Sequence, residues 1–350
     1  MTDLLDRHDV LLADLDGTLY RGQVAVPGAV RAVAAAAGRG VRTAYVTNNA
    51  SRSPGEVAAH LAEMGFPATA EDVVTSSQAA AALLAERLEP GATVLVVGTD
   101  ALAAEVAAVG LGTTRRADGA VAVVQGHSPD TGWRVLAEAT VALRAGALWV
   151  ACNLDPTLPT ERGPLPGNGS MVSVLRIASG REPQVAGKPG PALLEEAARR
   201  AGAAAPLMIG DRLDTDIEGG RAAGMATLMV LTGVSTAAEV LAAPPRQRPD
   251  YLAADLGGLT AAPDDLTPGP RPGWDVTADG DGALLLAGSG DRLDALRVLC
   301  GAHWAAGGGP AQVTRDGAAA EQVLADLGLG GGWVGSATVD SAGSLPGAHR

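Results

Sequence analysis

The stretch Val10-Leu11-Leu12-Ala13-Asp14-Leu15-Asp16-Gly17-Thr18-Leu19 decides how the rest of the chain is interpreted. Its first four residues form a short apolar run, which is typical of a buried parallel strand. The run ends in two acids, Asp14 and Asp16, followed by Gly17 and Thr18. Both carboxylates can face one cleft at the carboxyl end of the strand, where open α/β sheets bind their ligands.

Two acids at the end of one strand indicate a particular chemistry. Like charges held close together are costly unless a cation or a proton is shared between them. The pair therefore predicts a metal site, or a division of roles in which one carboxylate is a nucleophile and the other a general acid and base. A solvated turn is the alternative at this point, because Asp and Gly are common turn residues.

The composition is that of a globular and acidic chain. Of the 350 residues, 47% are hydrophobic and 19% are charged, which is typical of folded proteins and leaves room for two or three domains. The formal net charge of −13 argues against nucleic acid and against anionic membranes as partners. An anionic substrate would therefore need a local cation, a lysine or backbone N–H groups.

Cysteine usage and the N-terminus predict the compartment. Cys152 and Cys300 are far apart in sequence and form neither a disulfide framework nor a zinc cluster, which fits a reducing cytoplasm. Residues 1–9 lack the apolar region of a signal peptide, and no apolar run reaches the length of a membrane span. We therefore expect a soluble cytoplasmic protein.

A βαβ unit follows the opening strand. Residues 27–38 are Ala-rich with a helical period, and the β-rich run Val41–Val46 ends in Thr47 and Asn48. These two residues then lie at a carboxyl end beside Asp14, where a hydroxyl and backbone N–H groups suit a phosphate. A simple N-cap for a helix that begins at Pro54 explains the same residues equally well.

The pattern restarts in the middle of the chain. Helical segments alternate with predicted strands at 93–97, 120–124 and 147–151, which indicates a second α/β unit. The last of these strands is followed by a stretch rich in Pro and Gly, from Cys152 to Gly169, that we interpret as a long shaped loop. Loops of this length often carry function, and Asn153 and Asp155 are its candidate polar groups.

A second acid cluster strengthens the metal hypothesis. Lys188, which Pro189 holds in an extended conformation, precedes a predicted helix at 192–201 and a strand at 206–209. That strand runs into Asp211-Arg212-Leu213-Asp214-Thr215-Asp216. Acids here could merely cap the next helix, but two such clusters, each after a buried-type strand, make that explanation weak.

The remainder of the chain holds two more predicted strands, a linker and a small module. The strands are at 226–231 and 250–253, and the proline-rich stretch 261–272 is the predicted linker. Beyond it, runs at 274–276 and 283–287 flank Asp-Gly-Asp-Gly as in a hairpin, and helical patterns follow at 291–305 and 318–327, with a short strand predicted between them at 311–314. This α+β module carries no acid pair and no phosphate loop, so its role is not predicted.

With these residues assembled, the chain resembles the haloacid dehalogenase superfamily of phosphatases over about residues 8–260. The motifs that carry the resemblance occur in order: Asp14-Leu15-Asp16-Gly17-Thr18, then Thr47, then Lys188, then Gly210-Asp211 with Asp216. The segment between Thr47 and Lys188 looks like the large α/β cap of the nitrophenylphosphatase, phosphoglycolate and pyridoxal phosphatase branch. Within that branch the chain is similar to actinobacterial glycerol 3-phosphate phosphatases, which also carry a C-terminal extension.

The resemblance implies the fold class and the domain order. The fold is α/β, with a Rossmann-like haloacid dehalogenase core, an inserted α/β cap and a small C-terminal α+β module. The core would comprise residues 1–76 and 185–260, the cap 77–184, the linker 261–272 and the extension 273–350.

The resemblance also implies a role for each core residue. Asp14 would attack phosphorus and form an aspartyl-phosphate, while Asp16 would protonate the leaving alcohol and then activate water. Mg²⁺ would be held by the carboxylate of Asp14, the backbone carbonyl of Asp16 and Asp211, an all-oxygen set that suits this ion.

The remaining motif residues would bind the phosphoryl oxygens. The resemblance assigns Thr47, the N–H groups around Asn48, and Lys188 to this task. Asp216 would orient Lys188 or a metal-bound water. Asp214 could take its place, because both acids follow Asp211 within about one turn.

The predicted function is a Mg²⁺-dependent phosphomonoesterase that acts on a small phosphate such as glycerol 3-phosphate. Phosphoglycolate, pyridoxal phosphate and sugar phosphates are alternative substrates. Carbon–halogen hydrolysis would need neither Asp16 nor the Asp211 cluster, and a non-catalytic regulatory protein would not need the intact motifs. Asn153 and Asp155 are the predicted cap residues beside the leaving group, and Cys152 is predicted to be structural. Whether the chain forms a homodimer is left open.

Overall fold

The computed structural model describes residues 2–160, 162–278, 283–330 and 333–335. The chain divides into two compact units. The first contains the residues up to Val234 together with Pro249–Leu266, and the second contains Ser235–Arg248 together with the described residues from Thr267 onward.

The helices and strands alternate through most of the chain. As far as Val185 they are β1 (Val10–Ala13), β2 (Tyr20–Arg21), β3 (Val24–Ala25), α1 (Ala29–Gly38), β4 (Arg42–Thr47), α2 (Pro54–Glu63), β5 (Val73–Thr75), α3 (Ser76–Ala85), β6 (Thr93–Val97), α4 (Asp100–Ala108), β7 (Gly112–Thr114), β8 (Ala122–Gln125), α5 (Trp133–Arg144), β9 (Leu148–Ala151), β10 (Thr157–Thr160), β11 (Gly163–Pro166), α6 (Asn168–Ser179) and β12 (Gln184–Val185). The rest are α7 (Ala192–Ala201), β13 (Pro206–Gly210), α8 (Glu218–Ala222), β14 (Ala226–Val230), α9 (Ala237–Leu241), β15 (Tyr251–Ala253), α10 (Pro263–Leu266), β16 (Trp274–Ala278), β17 (Ala283–Gly288), α11 (Arg292–Ala305), β18 (Ala311–Asp316), α12 (Ala318–Asp326) and β19 (Trp333–Val334).

A six-stranded parallel sheet forms the core of the first unit, with the order β15-β14-β13-β1-β4-β5. The opening strand β1 lies between β13 and β4, and Ala13 pairs with Ile209 on one side and Tyr45 on the other. All four residues of β1 are buried, as the apolar run predicted. The carboxyl ends of the three central strands therefore lie side by side.

A five-stranded parallel sheet forms the cap, with the order β12-β9-β8-β6-β7. Its strands confirm those predicted in the middle of the chain, to within two residues at each end. The Pro- and Gly-rich stretch after β9 differs from the prediction of a long loop, because it contains the antiparallel hairpin β10–β11. Proline is tolerated in such an isolated ribbon, since its residues need few ladder N–H groups.

One apolar cluster is shared by the core and cap sheets. It contains Leu12, Val46 and Met208 of the core sheet together with Val96 and Val124 of the cap sheet, and all five are 0% exposed. Burial of apolar surface is the main favourable term in folding. The cap is therefore joined to the core by packing as well as by the two crossings, after β5 and after β12, where the chain passes between the two sheets.

The second unit is built on a four-stranded sheet with the order β16-β17-β18-β19. The pairing of β16 with β17 is antiparallel, as the predicted hairpin requires, while the Asp-Gly-Asp-Gly turn lies outside the described residues. The helices α11 and α12 match the two predicted helical patterns to within one residue, and β18 extends the predicted strand to Asp316.

The border between the two units differs from the predicted linker. Residues 263–266 form the short helix α10, and Leu266 is 3% exposed within the hydrophobic core of the first unit. The segment 235–248, which precedes the predicted linker by more than ten residues, belongs to the second unit. There the Nε1 atom of Trp304 donates to the carbonyl of Leu241 over 3.0 Å.

Within the ranges described above, no helix is both long enough and apolar enough to span a bilayer.

Candidate active site

Asp14 and Lys188 meet at the carboxyl end of β1. The backbone N–H of Asp14 continues the strand ladder by donating to the Ile209 carbonyl over 2.9 Å. Its Oδ1 atom lies 2.5 Å from Nζ of Lys188, and the same Nζ lies 2.7 Å from Oδ1 of Asp216. The side chains of Lys188 and Asp216 are 2% and 1% exposed, so a buried ammonium bridges two carboxylates.

The charges of this group perturb one another. Burial raises the pKa of Asp14 to about 8, with Lys188 opposing the rise and the carboxylates of Asp216 and Asp211 adding to it. Burial alone would lower the pKa of Lys188, but the carboxylates of Asp14 and Asp216 hold it above its usual range. Lys188 is therefore charged in this site, and burial of Asp14 outweighs the attraction of the neighbouring ammonium.

Asp211 is held by both of its oxygens. The hydroxyl of Thr18 donates to Oδ1 over 3.2 Å, and the N–H of Val234 donates to Oδ2 over 2.7 Å. Burial, assisted by the charge of Asp216, raises the pKa of Asp211 to about 6. Gly17 has a φ of +90° and packs so closely on this carboxylate that a Cβ atom would collide with it. Only glycine meets both conditions, which explains its place in the opening stretch.

The carboxylates of Asp14, Asp211 and Asp216 form one cluster, with a ligand atom from each lying within 4.8 Å of the others. Three acids and one lysine leave an excess of negative charge in a site that is largely buried. The donor set consists of oxygens alone, which fits Mg²⁺. The exposed side chain of Asp16 is not a member of this cluster, and the resemblance implied a metal contact through its backbone carbonyl only.

The geometry separates Asp216 from Asp214. Asp216 contacts Lys188 and also accepts from the backbone N–H of Arg212 over 3.1 Å. The side chain of Asp214 is 59% exposed and pairs with the guanidinium of Arg212 over 2.8 Å. Of the two acids that the sequence left open, Asp216 is the one beside the lysine.

The loop after β4 lies against Lys188. Thr47 is 9% exposed, and its hydroxyl accepts from the N–H of Asn49 over 3.1 Å. The side chain of Asn48 is paired with the backbone of Lys188: Oδ1 accepts from its N–H over 2.8 Å, and Nδ2 donates to its carbonyl over 3.0 Å. The structure thus brings Asn48 to the backbone of the lysine, while the hydroxyl of Thr47 is bonded within its own loop.

The two predicted cap residues also reach this place. Asn153 is 4% exposed, and its Nδ2 donates to the carbonyl of Asn48 over 2.7 Å. Its Oδ1 accepts from the N–H of Asp155 over 3.2 Å. Burial raises the pKa of Asp155, while the charges of Arg212 and Lys188 oppose that rise. Asp155 is therefore close enough to the core to interact with its cations.

Sequence reasoning missed two groups near the site. Arg212 faces both Asp214 and Asp155, and its signal was a lone cation within a run of acids. Burial, followed by the charges of Asp16 and Asp14, raises the pKa of Tyr20 to about 12, which places its phenol near the opening motif.

Burial likewise raises the pKa of the Cys152 thiol to about 12. Because the thiolate is the reactive form, this supports a structural role for Cys152.

The comparison with known proteins decides the family. The D-glycerol 3-phosphate phosphatase of Mycobacterium tuberculosis is 54% identical over 316 residues, which are 87% of this chain and 88% of that protein. This chain belongs to the haloacid dehalogenase-like hydrolase family. Models described as haloacid dehalogenase-like hydrolase and HAD-hydrolase-like match residues 11–112 and 185–259 of the hydrolase.

Other relatives agree with this assignment. A 5′-nucleotidase of Bacillus subtilis is 38% identical over 258 residues, covering 73% of this hydrolase and 95% of the relative. The crystal structure of the glycerol phosphate phosphatase from Mycobacterium tuberculosis in complex with magnesium superposes with a TM-score of 0.88 at 52% identity, covering 94% of this chain and 99% of that chain. The predicted α/β fold class and the prediction of a phosphatase are both confirmed.

The C-terminal unit has a separate similarity. Residues 271–329 match a model described as a GCN5-related N-acetyltransferase like domain. The α+β character of this unit was predicted from its sequence, but the similarity was not, because the unit carries no acid pair and no phosphate loop.

Proposed function

We propose that this hydrolase cleaves phosphate monoesters of small polyols, with glycerol 3-phosphate as its principal substrate. The observation that carries the proposal is the buried ammonium of Lys188 held 2.5 Å from Asp14 and 2.7 Å from Asp216. A cation fixed beside a strand-end carboxylate is what a nucleophile needs in order to approach a dianionic phosphoryl group. The name of the Mycobacterium tuberculosis relative supports the choice of substrate.

In the proposed reaction, Asp14 is the nucleophile. A carboxylate oxygen of Asp14 attacks phosphorus, the bond from phosphorus to the leaving oxygen breaks, and Asp16 donates its proton to that oxygen. Asp16 then removes a proton from water, which attacks phosphorus and releases Asp14 and inorganic phosphate. Such reactions depend chiefly on positioning and on stabilisation of charge.

The other core residues are proposed to hold the phosphoryl group. They are Thr47 at the end of β4, the N–H groups around Asn48, and Lys188, whose backbone is bonded to the Asn48 side chain. Asp216 is proposed to keep Lys188 in place, because its buried carboxylate is paired with the Lys188 ammonium.

We propose Mg²⁺ as the cofactor, held by the carboxylates of Asp14 and Asp211 and the backbone carbonyl of Asp16. When bound, it supplies positive charge that neutralises the acids and the phosphoryl oxygens. The protein prepares this place by fixing Asp211 through Thr18 and Val234.

The cap segment 77–184 is proposed to determine substrate preference. Asp155 lies in the Pro- and Gly-rich stretch after β9 and interacts with Lys188 and Arg212. A carboxylate in that position can accept hydrogen bonds from the hydroxyls of a glycerol-like leaving group. Asn153, its neighbour at this edge of the cap, is the second proposed specificity residue.

Cellular location and assembly are also proposals. A cytoplasmic enzyme is supported by the two free and buried cysteines, Cys152 and Cys300. We also propose that the chain forms a homodimer, and light scattering on the purified protein would measure its mass in solution.

The test is a screen of the purified enzyme against phosphate monoesters, with Mg²⁺ and with EDTA. The panel contains glycerol 3-phosphate, phosphoglycolate, pyridoxal phosphate, a sugar phosphate, a nucleoside monophosphate and nitrophenyl phosphate. We expect the highest kcat/KM for glycerol 3-phosphate and loss of turnover in EDTA. A higher kcat/KM for another natural ester would contradict the substrate, and turnover that is indifferent to EDTA would contradict the metal.

A further inference from the structure

The loop 48–50 is the point at which both chain crossings between the core and cap sheets are tied together. At the first crossing, the hydroxyl of Ser76 donates to the carbonyl of Asn48 over 2.6 Å, and that of Ser77 donates to the carbonyl of Ala50 over 3.1 Å. The second crossing is Gly187-Lys188, and Asn48 binds it through its side chain. A displacement of this loop would therefore alter hydrogen bonds at both crossings.

Asn48 holds Lys188 by its backbone. The paired bonds to the N–H and the carbonyl of Lys188, at 2.8 and 3.0 Å, fix the main chain from which the lysine side chain extends. Gly187 allows this close approach, because a Cβ atom there would lie 2.6 Å from Oδ1 of Asn48 and 2.5 Å from the carbonyl of Cys152. The side chain of Asn48 thus binds the backbone of Lys188 through both of its polar atoms, and it also interacts with the carboxylate of Asp155.

Asn153 extends the same junction into the cap. Its Nδ2 donates to the carbonyl of Asn48, and its Oδ1 accepts from the N–H of Asp155. Its own carbonyl accepts from Nδ2 of Asn168 over 2.7 Å. Each polar group of the buried Asn153 side chain therefore already makes one bond within the protein, and these bonds fix its place at the junction.

We propose that Asn48 and Asn153 are positioning residues that set the place of the Lys188 ammonium relative to Asp14, so that seating of the cap and binding of the phosphoryl group are coupled. The inference rests on the proposed function, because it takes Lys188 to bind the phosphoryl oxygens. It changes the proposed part of Asn153 from a direct contact with the leaving group to an effect through Asn48. Groups that position a reacting centre are sensitive to displacements of about 1 Å.

The first test measures binding of inorganic phosphate to the full chain by calorimetry in the presence of Mg²⁺. Asn153→Ala should weaken phosphate binding roughly tenfold, since it removes the bond from Nδ2 to the Asn48 carbonyl as well as the bond from the Asp155 N–H to Oδ1. It should also lower kcat/KM for nitrophenyl phosphate by about the same factor, and for glycerol 3-phosphate by at least that factor, because the backbone of Asp155 loses its bond to Oδ1. Ser170→Ala is the matched control, because it removes another cap bond to a carbonyl, from Oγ of Ser170 to Pro156 over 2.7 Å, and should change neither quantity.

A double-mutant cycle separates positioning from a general structural role. In a Lys188→Gln background, Asn153→Ala should have no further effect on phosphate binding, because its effect is transmitted through the lysine. Asn48→Ala should behave in the same way with a larger loss. If Asn48→Ala does not fold, Asn48→Asp retains the acceptor for the Lys188 N–H and should give a partial loss. Thermal unfolding of each variant shows whether the fold is retained.

Three results would overturn the inference. A loss confined to glycerol 3-phosphate would mean that Asn153 acts on the leaving group, by contact or through Asp155, and not on Lys188. Independent, additive effects in the cycle would mean that it does not act through Lys188, and unchanged phosphate binding would remove it from the site. Failure of the wild-type enzyme on glycerol 3-phosphate alone would overturn the proposed substrate, while phosphate binding would still test this inference.

Discussion

The core and cap sheets end in different chemistry, although both are parallel and both present the carboxyl ends of their strands to the same region. The core end carries charged side chains: Asp14, Asp211, Asp216 and, beside them, Lys188. The cap end carries buried neutral amides, with Asn153 at 4% and Asn168 at 2% exposure. The carboxyl ends of the strands thus carry charged groups in the core sheet and neutral hydrogen-bonding groups in the cap sheet.

The difference follows from the cost of burying charge. A buried carboxylate is tolerated only with a partner, and the core end provides Lys188 and a place for a cation. Burial is the main reason why the pKa of Asp14 is raised, and the charges of Asp216 and Asp211 add to it, so further carboxylates from the cap would raise it more. Amides can join backbone carbonyls without adding charge, so the cap can shape the site while the core supplies its electrostatics. Asp155 is the exception at the cap end, and we expect it to be the residue that distinguishes substrates.

The largest effect is expected from removing charge at the core end while keeping its shape. Asp14→Asn should abolish turnover, because an amide does not attack phosphorus at a useful rate. Thermal unfolding should stay close to that of the wild type or shift upward, since the variant removes a charge from a crowded, buried group. Substantial residual phosphatase activity would contradict the assignment of Asp14 and the view that the core end supplies the reaction.

Asp16→Asn should slow the reaction strongly, but unequally between substrates. General acid catalysis contributes about 10²–10⁴-fold, and we expect a loss in that range for glycerol 3-phosphate, whose alkoxide is a poor leaving group. Nitrophenyl phosphate should lose much less, because nitrophenolate leaves without a proton. Parallel measurements of kcat on the two esters check this, and equal slowing would show that Asp16 is not the acid.

Asp155→Ala sharpens the comparison at the cap end. It should reduce kcat/KM for glycerol 3-phosphate by about 1–3 kcal/mol, since hydroxyls of the leaving group lose a partner. Nitrophenyl phosphate offers no such hydroxyls and should be little affected, in contrast to the losses on both esters expected for Asn153→Ala. Asp155→Asn, which keeps an acceptor, is the control and should retain part of the preference. Equal losses on both esters would assign Asp155 to loop structure.

The dependence of stability on pH tests the charge imbalance at the core end. The folded pKa values of Asp14 and Asp211, about 8 and about 6, lie above the ordinary value of 3.8. Without metal, their contribution to stability is complete below about pH 4 and is lost as the pH rises through the folded values. Mg²⁺ should therefore raise Tm more at pH 8 than at pH 5. Asp211→Asn should show a smaller difference, and an equal rise of Tm at the two pH values would contradict the account.

The smallest effect on turnover is expected from removing the second unit. The site residues at the carboxyl ends of the core and cap sheets all lie before residue 235. A chain of residues 1–266 should therefore retain a kcat close to that of the whole protein. Such a chain exposes α9, whose Val240 and Leu241 are 0% exposed in the second unit, so it should aggregate more readily. Replacing both residues with Gln should restore solubility. A soluble but inactive product would show that the core and cap sheets are not sufficient for turnover.

Local sequence signals were enough to predict the framework of the site. The apolar run of β1 ending in Asp14, the strand before Asp211 and the helix at 192–201 are patterns within one element, and each was found in the structure near its predicted bounds. Such signals are reliable because a buried strand or an amphipathic helix leaves its period in consecutive residues. The order of the motifs along the chain then indicated the family.

Tertiary structure decided which polar groups meet. Asp214 and Asp216 are equivalent by spacing, and only the π-helical turn Leu213–Ile217 directs Asp216 to Lys188 while Asp214 faces solvent. The bond between Asn48 and Lys188 joins residues 140 positions apart, and no local pattern predicts such a pair. The same holds for segment 235–248, which packs with residues from the far end of the chain. An apolar residue is constrained by its neighbours in sequence, whereas a polar residue acquires its partner only when distant strands and crossings are brought together.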